Sequence, residues 1–195
     1  MAAEEKYTDL LNECAKEHGI EDLKRQQIEA VTSLLDGQDV FAVLPTGFGK
    51  SLIYQLYVVA KSRLTVESDE SNCKPSILVI SPLNSIVEEQ LKSNEFSLNV
   101  VALSLQEDAL EKINQCEYDI VYTSAELALN SKFTSLLKDH SSPFRNNLHL
   151  IVVDESHTVC TWGTATKKGK KQVEAFRKDY GALSGLRSFC SGKCE

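Results

Sequence analysis

Apolar and polar positions alternate between two periods along the chain. Tyr7, Leu10, Leu11 and Cys14 recur at helical spacing, and His18-Gly19 supplies a stop. Ile28, Val31, Leu34 and Leu35 share one face of a second helix, closed by Gly37. Val40 to Leu44 is then continuously apolar and predicts a buried strand, followed by a helix from about Leu52 to Ser62. The acidic stretch 67–72 predicts a surface loop. Beyond it, apolar runs at 77–80, 100–103, 118–122 and 148–153 predict four more strands. Helices are expected between them, at 86–92, 107–114 and 127–137, with a turn at Ser141-Ser142-Pro143. Strands that are apolar throughout and alternate with helices predict an α/β fold with a mostly parallel sheet, covered on both faces. Such sheets bind ligands at the carboxyl ends of their strands.

Composition changes little in this picture. The 195 residues are 42% hydrophobic and 25% charged, as in soluble globular proteins. No apolar run approaches the roughly 18 residues of a membrane span, so no membrane partner is expected. Met1 to Lys6 lacks a basic stretch followed by an apolar core, which predicts no secretory signal and an intracellular location. A net charge of −7 does not advertise a nucleic-acid binder, although a strand track needs only one basic face. The dense basic run Lys167-Lys168-Gly169-Lys170-Lys171 suits either a solvated loop or a phosphate-contacting one. Six scattered cysteines with no C-x-x-C spacing read as free thiols, and no structural metal is expected.

The chemistry concentrates in two stretches. Pro45-Thr46-Gly47-Phe48-Gly49-Lys50-Ser51 joins a predicted strand to a predicted helix, the build of a phosphate-binding loop. Gly47 and Gly49 let backbone N–H groups approach phosphate oxygens, Lys50 reaches the β- and γ-phosphates, and Ser51 suits Mg²⁺. The usual opening glycine is Leu44 here. Downstream, Leu150 to Val153 delivers Asp154 and Glu155 at a strand end, the first suited to Mg²⁺ and the second to the attacking water. A nucleotide's phosphates and Mg²⁺ are therefore the expected ligands.

Together these stretches resemble the first motor lobe of superfamily 2 helicases, most closely the RecQ family of DNA helicases. The 45–51 loop is similar to that family's motif I, and Asp154-Glu155-Ser156-His157 to its Asp-Glu-Ala-His box, with Ser for Ala. Leu23-Lys24-Arg25-Gln26-Gln27 resembles the adenine-reading segment, Phe-Arg-x-x-Gln. Gln27 matches its glutamine, Lys24 replaces the arginine, and His18 stands where an aromatic side chain commonly stacks on the base. Ser81-Pro82-Leu83-Asn84-Ser85 is similar to motif Ia and Thr123-Ser124-Ala125-Glu126 to motif Ib, both of which touch the nucleic-acid backbone in the family. Past the box, Trp162-Gly163 and Phe176-Arg177-x-x-Tyr180 resemble the family's aromatic-rich loop, interrupted by the segment 164–175. Trp162 and Phe176 suit stacking on unpaired bases. Val173, Phe176 and Tyr180 also fall at helical spacing and equally suit a core face.

The resemblance implies a RecA-like phosphate-loop lobe of three layers. N-terminal helices with the adenine-reading segment occupy 1–37, the ATP-binding lobe 38–163, and the basic insertion, aromatic-loop remnant and tail 164–195. It implies ATP as the nucleotide and catalytic roles for Lys50, Asp154, Glu155 and His157. Single-stranded or forked DNA is the implied partner, and the nucleus the implied location. Neither a Ser-Ala-Thr-like motif III nor a second lobe with an arginine finger is found in these residues, so weak turnover and no unwinding are expected of them alone. A binding module without turnover is the alternative from another class. An RNA helicase of the Asp-Glu-Ala-Asp kind is a third, against which the Trp-Gly and Phe-Arg-x-x-Tyr elements and His157 argue.

Overall fold

The computed structural model describes residues 6–68, 74–81, 95–154 and 183–190. These cluster into two compact units, one drawn from Met1–Pro75 and Asn94–Leu98, the other from Ser76–Ser93 and Asn99–Ser191. Among the described residues no helix is long and apolar enough to cross a membrane.

The first unit is helical. Helix α1 (Thr8–Glu17) buries Leu11, Cys14 and Ala15, one stripe of a 3.6-residue period, and ends where Gly19 takes φ +77°. Helix α2 (Arg25–Leu35) buries Gln27, Ala30 and Val31 and is closed by Gly37, also at φ +77°. Helix α3 (Lys50–Ser68) extends past the expected end, and Ile53 to Val58 are buried around its whole circumference. Both α1 and α2 pack on α3. Arg63 of α3 binds Glu17 and lies 3.8 Å from Glu13, fastening α3 to α1 by charge.

The expected strand at 40–44 does not form. The backbone there has no strand assignment, and Phe41 and Val43 are 84% and 81% exposed. An apolar run fixes the preference for burial but not the hydrogen-bonded neighbour that a strand requires.

The second unit holds an all-parallel sheet of β1 (Ser76–Ile80), β2 (Val100–Ala102), β3 (Ile120–Thr123) and β4 (Leu148–Val153), in the order β2-β3-β1-β4. All five residues of β1 are buried, as suits a central parallel strand. Helix α4 (Glu107–Asn114) connects β2 to β3 and carries Glu107 and Asp108 in its first turn, where they complement the helix dipole. The helical stretches expected over 127–137 are α5 (Ala125–Ala128), capped by the Ser124 hydroxyl, and α6 (Ser131–Lys138), capped by Asn130. Where a turn was expected at 141–143, Ser142 caps a short helix α7 (Pro143–Asn147) with proline at its first position. Leu78, Ile80, Val121, Phe133, Leu137, Phe144 and Leu148 form the core of this unit, joined by Leu183 and Leu186 of a 3₁₀ segment (Leu183–Phe189). The Phe133 and Phe144 rings meet at 6.2 Å, tilted by 54°. The helix expected at 86–92 lies outside the described residues.

Candidate nucleotide-binding site

Two backbone positions give the 45–51 loop its shape. Gly47 and Gly49 adopt φ +75° and +86°, a region costly to side-chain-bearing residues. Between them the Phe48 N–H returns to the Pro45 carbonyl at 3.2 Å, closing a tight turn. The chain then enters α3, whose first two residues are Lys50 and Ser51. Thr46 and Gly47 are exposed, while Phe48, Gly49, Lys50 and Ser51 are half-buried. A 19-residue helix thus directs its positive end and first-turn N–H groups at an open loop bearing an ammonium and a hydroxyl. That donor set, with no carboxylate in it, suits a polyphosphate and its metal ion.

The N-terminus of α2 holds this loop from one side. Gln27 is 3% exposed, and its Nε2 donates to the carbonyls of Phe48 (3.1 Å) and Gly49 (3.3 Å). Its Oε1 accepts the Lys24 N–H at 2.9 Å, so the side chain both caps α2 and ties down the loop. A Cβ on Gly49 would lie 2.7 Å from Gln27 Nε2, so a side chain there would push the Gln27 amide off its place. Lys24 Nζ donates to the Phe48 carbonyl at 3.0 Å and stands 4.1 Å from the centre of the Phe48 ring. His18, expected to face a base, donates from Nδ1 to the Cys14 carbonyl (2.9 Å), and its ring packs 4.9 Å from that of Phe96.

The second unit gathers the other described candidates at the carboxyl edge of its sheet. Ile80 pairs in register with both Thr123 and Val153, so Ser81, Ser124 and Asp154 follow on adjacent strands. The Asp154 N–H donates to the Ile80 carbonyl (2.9 Å) and the Ser81 N–H to that of Thr123 (2.9 Å), extending the ladder to the edge. Asp154 is half-buried there. The hydroxyls expected to meet a nucleic-acid backbone have internal places in this structure. Ser81 Oγ is buried with no hydrogen-bond partner among the described residues, Thr123 Oγ1 donates to the Ser124 carbonyl, and Ser124 Oγ accepts the Leu127 N–H at 3.3 Å. Pro82, Asn84, Glu155, His157, Trp162, Phe176 and Arg177 lie outside the described residues.

The link from Lys24 to Phe48 was not foreseen from the sequence. The two side chains are 24 positions apart, and only the fold of α2 against the loop brings them together.

Comparison with known proteins places these features. The family model described as DEAD/DEAH box helicase matches residues 24–184. The chain is 34% identical over 167 residues to the ATP-dependent helicase SGS1 of Saccharomyces cerevisiae, covering 79% of this chain and 10% of that protein. It is 32% identical to the RecQ-like DNA helicase blm-1 of Caenorhabditis elegans (92% and 17% covered) and 28% identical to the ATP-dependent DNA helicase RecQ of Haemophilus influenzae (87% and 24%). The chain therefore spans a quarter or less of the length of these relatives.

Proposed function

The chain belongs to the DEAD/DEAH box helicases, among those of RecQ type, and on that premise we propose that it forms the ATP-binding lobe of an ATP-dependent DNA helicase, binding ATP-Mg and single-stranded DNA. The observation that carries the reading is the pair of glycines at positive φ leading into α3, with Lys50 and Ser51 in its first turn. In the cell, on this reading, the lobe works in the nucleus, and unwinding belongs to a longer, two-lobed protein.

Each residue has a physical role in the reading. The N–H groups of the loop and the first turn of α3 hold phosphate oxygens, and the Lys50 ammonium offsets the charge that builds there during transfer. Ser51 and Asp154 would hold Mg²⁺, which supplies further neutralisation of the phosphates when bound. Glu155 orients or deprotonates the attacking water, and His157 relays between the nucleotide and nucleic-acid sites. Ser81, Pro82, Asn84, Thr123 and Ser124 lie along the DNA backbone on this reading, with Trp162, Phe176 and Arg177 against the bases.

The test is nucleotide affinity in the Lys50→Ala variant. Loss of the ammonium removes a charge-assisted contact and should weaken ATP-Mg binding by about tenfold or more. A variant that binds and hydrolyses ATP as the parent does would remove the loop from the site. Stimulation by single-stranded RNA in place of DNA would move the protein to the RNA helicases.

A further inference from the structure

We infer that Lys24 is a positioning residue for the phosphate-binding loop, acting through Phe48, and that its contribution to nucleotide affinity is independent of the base. The inference rests on the proposal that the 45–51 loop binds phosphate, and it adds what sets that loop's shape.

In a planar trans peptide the C=O and the following N–H point in opposite directions. The Phe48 carbonyl accepts from both Lys24 Nζ (3.0 Å) and Gln27 Nε2 (3.1 Å), which uses both of its lone pairs. The Gly49 carbonyl accepts from Gln27 Nε2 as well, at 3.3 Å. Two consecutive carbonyls are therefore held toward the N-terminus of α2. The N–H groups of Gly49 and Lys50, on the same two peptide planes, consequently point the other way. Those are the donors that open α3, and holding them before the anion arrives removes an ordering cost from binding.

Lys24 adds what the glutamine cannot. Its ammonium stands 4.1 Å from the centre of the Phe48 ring while bonding the carbonyl of the same residue, so one cation fixes both the main chain and the side chain at the loop's middle position. Phe48 lies between two glycines, which without a Cβ have the widest choice of backbone torsions and lose the most freedom on being fixed. Engagement with Phe48 occupies the ammonium at the loop rather than at a nucleobase. A residue acting this way strengthens every polyphosphate ligand equally, whereas one that reads adenine strengthens ATP alone.

The experiment titrates ATP, GTP and inorganic tripolyphosphate, each with Mg²⁺, into the 195-residue chain and its Lys24→Met, Lys24→Arg, Phe48→Leu and Lys24→Met/Phe48→Leu variants. Lys24→Met should weaken all three ligands by the same factor, about three- to tenfold. Lys24→Arg should restore most of the loss, and the double variant should be little worse than Lys24→Met, because the two side chains act as one unit. Thermal melting of each variant separates this from general destabilisation, which arginine rescue and non-additivity would not accompany. A loss confined to ATP would overturn the inference and return Lys24 to the base. Unchanged affinity for every ligand would overturn it too. If the parent chain binds none of the three, the phosphate-binding assignment itself fails, and this inference with it.

Discussion

Gly49 carries two constraints at once, a φ of +86° and a Cβ position 2.7 Å from Gln27 Nε2. Gly49→Ala should therefore cost about 1–2 kcal/mol in backbone strain alone and displace the Gln27 amide from the Phe48 and Gly49 carbonyls. Thermal melting would show a lower midpoint, and nucleotide titration a larger loss than Gly47→Ala, where nothing lies within 4 Å of the added methyl. An equal effect of the two substitutions would mean that Gln27 does not hold the loop. Much of this was legible in the sequence: glycines before Lys-Ser, between an apolar run and a helix, indicate a loop that needs left-handed backbone. What was not legible is that the glutamine and lysine expected at a base both reach the loop. Sequence spacing encodes contacts along one helix, and these cross between segments more than 20 positions apart.

At the scale of elements, the helix between β2 and β3 was legible because its apolar period is unambiguous. Helix α4 has the expected boundaries, and β4 the expected run. The misplaced elements have local causes. Ser124, Asn130 and Ser142 each accept a main-chain N–H and start a helix, and at Ser142 that cap turns the expected 141–143 turn into the start of α7. Asn130→Ala should accordingly cost about 1 kcal/mol by removing the cap of α6, measured by denaturant midpoint. In α1, burial pushes the Cys14 thiol above its ordinary value of 9.0. The folded state thus keeps the proton where the unfolded chain loses it, so this contribution is fully present below about pH 9 and declines as pH rises through the folded value. Melting profiles of the parent should fall more steeply above pH 9 than those of Cys14→Ala. Parallel profiles would show that Cys14 remains un-ionised in both states.

For the molecule as a whole, a helical unit carries the 45–51 loop and a parallel-sheet unit carries Asp154, in a chain that belongs to the DEAD/DEAH box helicases. The apolar 40–44 segment marks the limit of sequence reading, since pattern alone chose a strand that the backbone does not form. Its exposed Phe41 and Val43 predict poor solubility, and Phe41→Ser with Val43→Thr should raise the concentration at which the chain stays monodisperse in light scattering. The central claim is that the 45–51 loop binds ATP-Mg, and the most direct measurement is titration of a fluorescent ATP analogue with Mg²⁺ into the purified chain and into Lys50→Ala, with turnover followed with and without single-stranded DNA. The account predicts saturable binding by the parent, weakened about tenfold or more by the substitution, with slow turnover. Equal binding by both proteins, or none by the parent, would contradict it.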